Sequence, residues 1–360
     1  MVSARQWGVS ELNGSMESFA FVVHPLDPKE DVARKYPTLA RVLPTGLIHV
    51  LARRWPPVLL SHIAGVRSQE SGRRAEGWLL ACPLSAGQML RLPPQVVYDK
   101  IVQTGRLAQR KGARILGLGA FTSVVGDGGV TIAQRLNMPV TTGNSLTVGL
   151  AVEVLKWGAE RQGVTMDGAT AAIVGASGTI GLASAEMLAP MVERLILVGR
   201  REIRLSQARA QAEAAGAAEV RVSIDLDDVA KADIVLSATT ASRSILKSRH
   251  LKKNVVVCDV SLPPDVDPAV REERSDVLII DGGVVELPDS VDLGFDFGLP
   301  PGQAYACMAE VMVLALTGRY ESFSLGQRVR VEKVREITQL ARKHGFRLSA
   351  EAASLGARGA

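Results

Sequence analysis

Cysteine is scarce, with only Cys82, Cys258 and Cys307 in 360 residues. Their spacing fits neither a zinc site nor a disulfide framework, so no metal centre is expected and a reducing, cytoplasmic compartment is the simplest reading. Aromatic residues make up 4% of the chain, and no stripe of basic residues interleaves with them. The net charge of +5 is mild and scattered. Together these features argue against a nucleic-acid partner, while leaving room for an acidic substrate or partner. No apolar run reaches the ~18 residues of a membrane span. The opening stretch "MVSARQWGVSELNGSMESFAF" has no apolar leader-like core. Residues 1–15 precede the first strand-like run and are expected to be a disordered extension.

Nearly half of the chain is hydrophobic, mostly aliphatic, which suits helices and buried parallel strands. The length exceeds one ordinary core and suggests two domains. Strand-like runs "FAFVVH", "LIHVLARR" and "GWLLACPLS" share the first third with a helix-rich stretch, "PKEDVARKYPTLARVLP". "PPQVVYDKIVQTGRLAQRKGA" has helical periodicity, with prolines where a helix start tolerates them. "RILGLGAFTSVVG" reads as a strand entering a small-residue loop, and a helix is expected from about Ser145.

Beyond it, apolar strands alternate with helices: "ATAAIVG", "RLILVGRR", "ADIVLSATT", "NVVVCDVS" and "VLIIDGG". That alternation predicts a parallel, doubly wound sheet. The expected fold is α/β. It comprises an N-terminal α/β substrate domain (16–145), a Rossmann dinucleotide domain (146–325) and a C-terminal helix with its tail (326–360).

"VGASGTIG" places Gly175, Gly178 and Gly181 between a strand and a helix. Glycine lets the backbone approach a pyrophosphate, and the helix start presents free N–H groups to it. Gly175, Ser177, Gly178, Thr179, Ile180 and Gly181 are therefore candidate cofactor residues. Where NAD binders carry an acid at the end of the second strand, this chain has Arg200 and Arg201. Guanidinium groups suit a 2′-phosphate, so NADPH is the expected cofactor. Ala238 and Thr239, after Ser237, end the next apolar strand. Asp281, Gly282 and Gly283 end a later one on the same carboxyl edge, where ligands of such sheets bind.

"PPGQAYACMAEVMVLALTG" reads as a helix that carries Cys307 one or two turns past its start. Helical spacing would put Gln303 and Glu310 on neighbouring turns. From spacing alone, Cys307 reads as a small buried hydrophobe, since a reactive thiol needs a cation, a base or a helix start to ionise it. Cys258 lies mid-strand, and Cys82 sits before a proline. His24 ends the first strand, as a base, a donor or a structural group.

In fixed order, "GLGAFTSVVG", "TTGNSLT", "VGASGTIG", "IIDGGVVE", "QAYACMAE" and "KHGF" resemble segments of the cyanobacterial long-chain acyl-[acyl-carrier-protein] reductases. The resemblance spans most of 19–346, is densest from about 115 onward, and is loosest in the N-terminal third. It implies NADPH-dependent reduction of a fatty acyl thioester to an aldehyde, with Cys307 as the acyl-accepting nucleophile. The donor it implies is an acyl carrier protein, for which acyl-CoA could substitute, and an aldehyde-consuming enzyme would act downstream. Oxyanion donors would come from Gln303, Thr142, Asn144 or the Thr122–Ser123 loop, with Thr142, Asn144 and Ser123 bordering the substrate.

Two other readings share the scaffold. A shikimate- or quinate-type dehydrogenase needs a lysine–aspartate pair in an "SxTxPxK"-like stretch, which is absent before residue 150. A non-catalytic NADPH-binding sensor would form no thioester.

Overall fold

The structure is a computed structural model that describes residues 16–25 and 53–349. The expected N-terminal extension, the helix-rich stretch at 28–44 and most of "LIHVLARR" lie outside the described residues.

The first sheet comprises β1 (Glu17–Val23), β2 (Val58–Arg67), β3 (Arg74–Ala81), β4 (Leu116–Leu118) and β5 (Val140–Thr141). Their order is β2-β3-β1-β4-β5. Only the β2–β3 pair is antiparallel. β1 is buried along almost its whole length, as an unbroken apolar run in a parallel sheet requires. β2 lacks such a run and alternates exposed with buried positions, so its sequence pattern was weak. One face of this sheet is covered by the helix Pro94–Arg110, which buries Val97, Ile101 and Ala108.

The second sheet holds β6 (Thr170–Val174), β7 (Arg194–Val198), β8 (Glu219–Ser223), β9 (Ile234–Ser237), β10 (Val256–Asp259) and β11 (Leu278–Asp281). It is parallel throughout, in the order β11-β10-β9-β6-β7-β8. This is the doubly wound Rossmann order, whose switch point lies between β6 and β9. The edge strand β8 was not legible in the sequence, because Glu219 and Arg221 leave Val220 as its one buried residue.

A small sheet of β12 (Val284–Glu286), β13 (Gln303–Tyr305) and β14 (Arg347–Leu348) follows, in the order β13-β12-β14. The helix Ala306–Leu316 then returns to the first sheet, not to the nucleotide sheet. Its Met308, Val311, Met312 and Ala315 share a core with Phe19, Phe21, Ile63 and Leu79. The C-terminal helix Val331–Lys343 buries Val334, Ile337, Thr338 and Ala341. It is thus amphipathic, and it packs on the helix Asn144–Gln162. That long helix joins the two bodies. Leu146 and Leu150 sit in the first core, and Ala151, Leu155 and Ala159 in the second. Among the described residues, no helix is long and apolar enough to cross a membrane.

Candidate active site

A cleft of about 1450 Å³ runs between the two bodies, and its wall is predominantly apolar. The glycine turn lies at its nucleotide end. Gly175 is left-handed at φ +84°, and a Cβ there would sit 2.3 Å from the Ala238 carbonyl oxygen. Only glycine permits that approach. The helix Thr179–Leu188 starts at Gly178 with no side-chain cap, so its first N–H groups are open to a phosphate. Ser177, Gly178, Thr179 and Ile180 line the cleft, and Gly181 is buried behind them in the first turn of the helix. A dinucleotide fits this cradle.

Arg200 lines the cleft, and so does Arg204, which the sequence reading missed. Arg201 is exposed outside the lining and precedes the helix Glu202–Ala214. Ala238 and Thr239 line the cleft as expected of strand-end residues. The Thr239 hydroxyl donates to Asp265 Oδ1 at 2.6 Å. Asp265 also accepts from Ser237 and Ser261, at 2.7 and 2.5 Å, and is fully buried. Neighbouring Asp259 is pushed up to about 6 by burial. This acidic pair left no recognisable sequence signal.

The "DGG" segment divides its roles. Asp281 is ion-paired with Arg271 at 2.8 Å and is not part of the lining. Gly282 packs on the Cys258 sulfur. Gly283 lines the cleft, and its carbonyl accepts the Ala306 N–H at 2.8 Å. That bond fixes the start of the Cys307 helix.

Cys307 is therefore the second residue of its helix, not one or two turns in. It is half-buried and opens into the cleft. Burial, with the nearby Glu310 carboxylate, pushes its thiol up to about 12, while the backbone N–H groups of Met308, Cys307 and Ala120 pull the other way. The helix start is the kind of environment that can favour a thiolate once the site is filled. Gln303 is not on that helix. It lies on β13, buried, and its Nε2 donates to Ser349 Oγ at 2.7 Å, away from the cleft lining. Cys258 and Cys82 are fully buried outside the lining. Burial raises both thiols, Cys82 to about 11.

Facing Cys307 is the turn Thr141–Asn144. Gly143 is left-handed at φ +75°, and a Cβ on it would lie 2.2 Å from Cys307 Cα. Thr142 and Asn144 both line the cleft. The Thr142 hydroxyl is committed to the Ser324 carbonyl at 2.5 Å. Among the described residues, the Asn144 carboxamide has no hydrogen-bond partner.

On the other side runs the loop Gly119–Ser123. Ala120 has φ +46° and ψ −129°, a costly conformation for a residue with a Cβ. Ser123 lines the cleft, but its hydroxyl donates to the Ala120 carbonyl at 2.7 Å. The Thr122 hydroxyl donates to Gly119. His24 also lines the cleft, with Nδ1 2.9 Å from the Pro25 carbonyl and Nε2 accepting the Phe121 N–H at 3.2 Å. Both ring nitrogens are thus engaged in holding the loop. Beyond the thiol, Phe21, Trp55, Val58, Leu60, Phe121 and Phe297 form an apolar wall.

Residues 158–282 match the model of the shikimate / quinate 5-dehydrogenase family. The nucleotide-binding half is accordingly of the NAD(P)-dependent oxidoreductase type. Over 342 residues the chain is 32% identical to the aminotransferase PigE of Serratia sp., covering 91% of this chain and 39% of that protein. It thus spans about two fifths of that relative's length. Over 261 residues it is 28% identical to the long-chain acyl-[acyl-carrier-protein] reductase of Synechococcus elongatus, covering 69% of this chain and 75% of that protein. Among solved structures, L-tryptophan dehydrogenase from Nostoc punctiforme aligns over 96% of this chain and 87% of its own, at 13% identity and TM-score 0.42. Shikimate 5-dehydrogenase from Listeria monocytogenes aligns over 91% and 98%, at 13% identity and TM-score 0.39.

Proposed function

We propose that this protein reduces a fatty acyl thioester to an aldehyde with NADPH, using Cys307 as the acyl carrier. One observation carries the reading. The half-buried Cys307 thiol opens into the same cleft as the dinucleotide turn, beside an apolar wall. The sulfur attacks the donor's thioester carbon, the donor's thiol leaves, and the acyl group is held as an enzyme thioester. Gly175, Gly178 and the open start of the helix Thr179–Leu188 hold the pyrophosphate, and Arg200 with Arg204 hold the 2′-phosphate. Bound NADPH supplies a hydride to the acyl carbon. Asn144, whose carboxamide has no hydrogen-bond partner among the described residues, steadies the oxyanion that forms at each step. Collapse of that oxyanion breaks the carbon–sulfur bond, releases the aldehyde and leaves the thiolate on Cys307. The apolar wall houses the chain, and an acyl carrier protein or acyl-CoA brings it. An aldehyde is also the kind of carbonyl compound that an aminotransferase consumes. An aldehyde-consuming enzyme of that kind is the partner this reading calls for.

A second reading is a dehydrogenase acting on a small hydroxy acid, favoured by the family match over residues 158–282. Against it, the cleft is lined by no lysine among the described residues. Intact-protein mass spectrometry after mixing with hexadecanoyl-CoA, without NADPH, separates the two. The first reading expects an acyl-sized gain on wild type and none on Cys307→Ala, discharged as aldehyde when NADPH is added. No adduct, with Cys307→Ala still oxidising shikimate or quinate, would establish the second.

A further inference from the structure

Glu310 lies one helical turn beyond Cys307 and is fully buried. Its partners are not cations. Oε2 accepts the Leu146 backbone N–H at 2.8 Å, and Oε1 accepts the Thr141 and Ser324 hydroxyls, the latter at 2.7 Å. Burial raises its carboxyl above the ordinary range, and these donors pull against that rise. Burying such a group is expensive, and the place it occupies has a specific use. The helix Asn144–Gln162 begins at Gly143, which has no side chain to cap it. Its Leu146 N–H, an orphan donor of the first turn, is satisfied instead from the Cys307 helix. Glu310 thus grips the turn at Thr141 on one side of Gly143 and at Leu146 on the other. Between those grips, Gly143 lies against the Cys307 backbone and Asn144 faces the cleft.

We propose that Glu310 is a positioning residue for acyl transfer, tying the Thr141–Leu146 turn to the Cys307 helix so that Asn144 stays beside the sulfur. The inference rests on the acyl-transfer reading above. It assigns Glu310 no contact with substrate, because its oxygens are occupied by the turn.

The test is a double-mutant cycle on the full-length protein. Acylation of Cys307 by hexadecanoyl-CoA is timed by intact mass in wild type, Glu310→Gln, Asn144→Ala and the double variant. Asn144→Ala is expected to slow acylation about 100-fold, as loss of an oxyanion donor does. Glu310→Gln keeps an acceptor for Leu146 and is expected to cost about tenfold. The double variant is expected within about twofold of Asn144→Ala, because a donor that is absent cannot be misplaced. NADPH affinity stays within about threefold of wild type, and iodoacetamide labelling of Cys307 does not fall in Glu310→Gln, because removing the carboxylate beside the thiol favours the thiolate. Multiplying penalties, or Glu310→Gln at the wild-type rate, overturns the assignment. If Glu310→Gln fails to fold, Thr141→Val removes a donor to the same carboxylate and is read in the same cycle. Absence of a wild-type adduct rejects the acyl-transfer reading and this proposal with it. A wild-type adduct with independent penalties rejects the proposal alone.

Discussion

Replacing Gly143 by alanine drives a methyl group into the backbone of Cys307. The new carbon would lie 2.2 Å from Cys307 Cα, 2.3 Å from its Cβ and 2.7 Å from its carbonyl oxygen. None of these atoms is the far end of a flexible chain, so the turn and the helix must part by roughly an ångström to restore ordinary contact. A displacement of about 1 Å at a reacting group costs on the order of 100-fold in rate. The left-handed backbone at φ +75° adds about 1–2 kcal/mol of strain for a residue with a Cβ. Gly163, at the other end of the same helix, is the matched control. Its φ is +68°, but nothing lies within 4 Å of its would-be Cβ. Gly163→Ala should therefore lose only about 1 kcal/mol in a urea titration and acylate Cys307 at the wild-type rate. Gly143→Ala should lose more stability and acylate on the order of 100 times more slowly. Equal acylation rates for the two variants would refute the idea that this contact sets the geometry of the thiol.

Gly175→Ala places a Cβ 2.3 Å from the Ala238 carbonyl oxygen, so NADPH affinity measured by fluorescence should fall at least about tenfold while Cys307 still accepts an acyl group. Arg200→Ala should weaken NADPH by about tenfold and leave NADH unchanged. A parallel loss for both cofactors would place the 2′-phosphate elsewhere. Asp259 titrates at about 6 in the folded protein, above the ~3.9 of an unfolded chain. The folded state therefore holds that proton more tightly. Its contribution is complete below about pH 4 and is lost as pH rises through the folded value, on the order of 3 kcal/mol in all. Urea midpoints at successive pH values should fall across this window in wild type and flatten in Asp259→Asn. An unaltered slope would show that another group titrates there.

The nucleotide sheet was the most legible part of the chain, because its inner strands are short unbroken apolar runs that end in small or acidic residues. Its edge strand β8 and the antiparallel β2 escaped notice, since each offers one wet face and no continuous run. The cysteine segment misled for a different reason. "GQAYACMAE" carries helical periodicity throughout, but the pairing of β13 with β12 holds Gln303–Tyr305 extended, a long-range decision that periodicity cannot express. That single difference moves Cys307 to the helix start and separates it from Gln303. Glu310 stood in plain view within the same motif. Its grip on residues some 165 positions earlier exists only once both helices are in place. Ala120 gave no warning, because nothing in its local sequence marks the positive φ it adopts in the folded loop.

The order in which the two cores are written along the chain bears on how the molecule is made. The nucleotide core draws almost wholly on residues 151–280, a contiguous stretch. The first core joins Phe19 and Phe21 to Met308, Val311, Met312 and Phe346, nearly the whole described length apart. Closing so long a loop comes late in folding, whereas the local βα repeats assemble without waiting for it. During synthesis the nucleotide unit can be complete while β1 still lacks its covering helix. Cys307 is thus delivered to the cleft on a helix that is synthesised after the nucleotide fold, with the C-terminal helix Val331–Lys343 still to dock behind it.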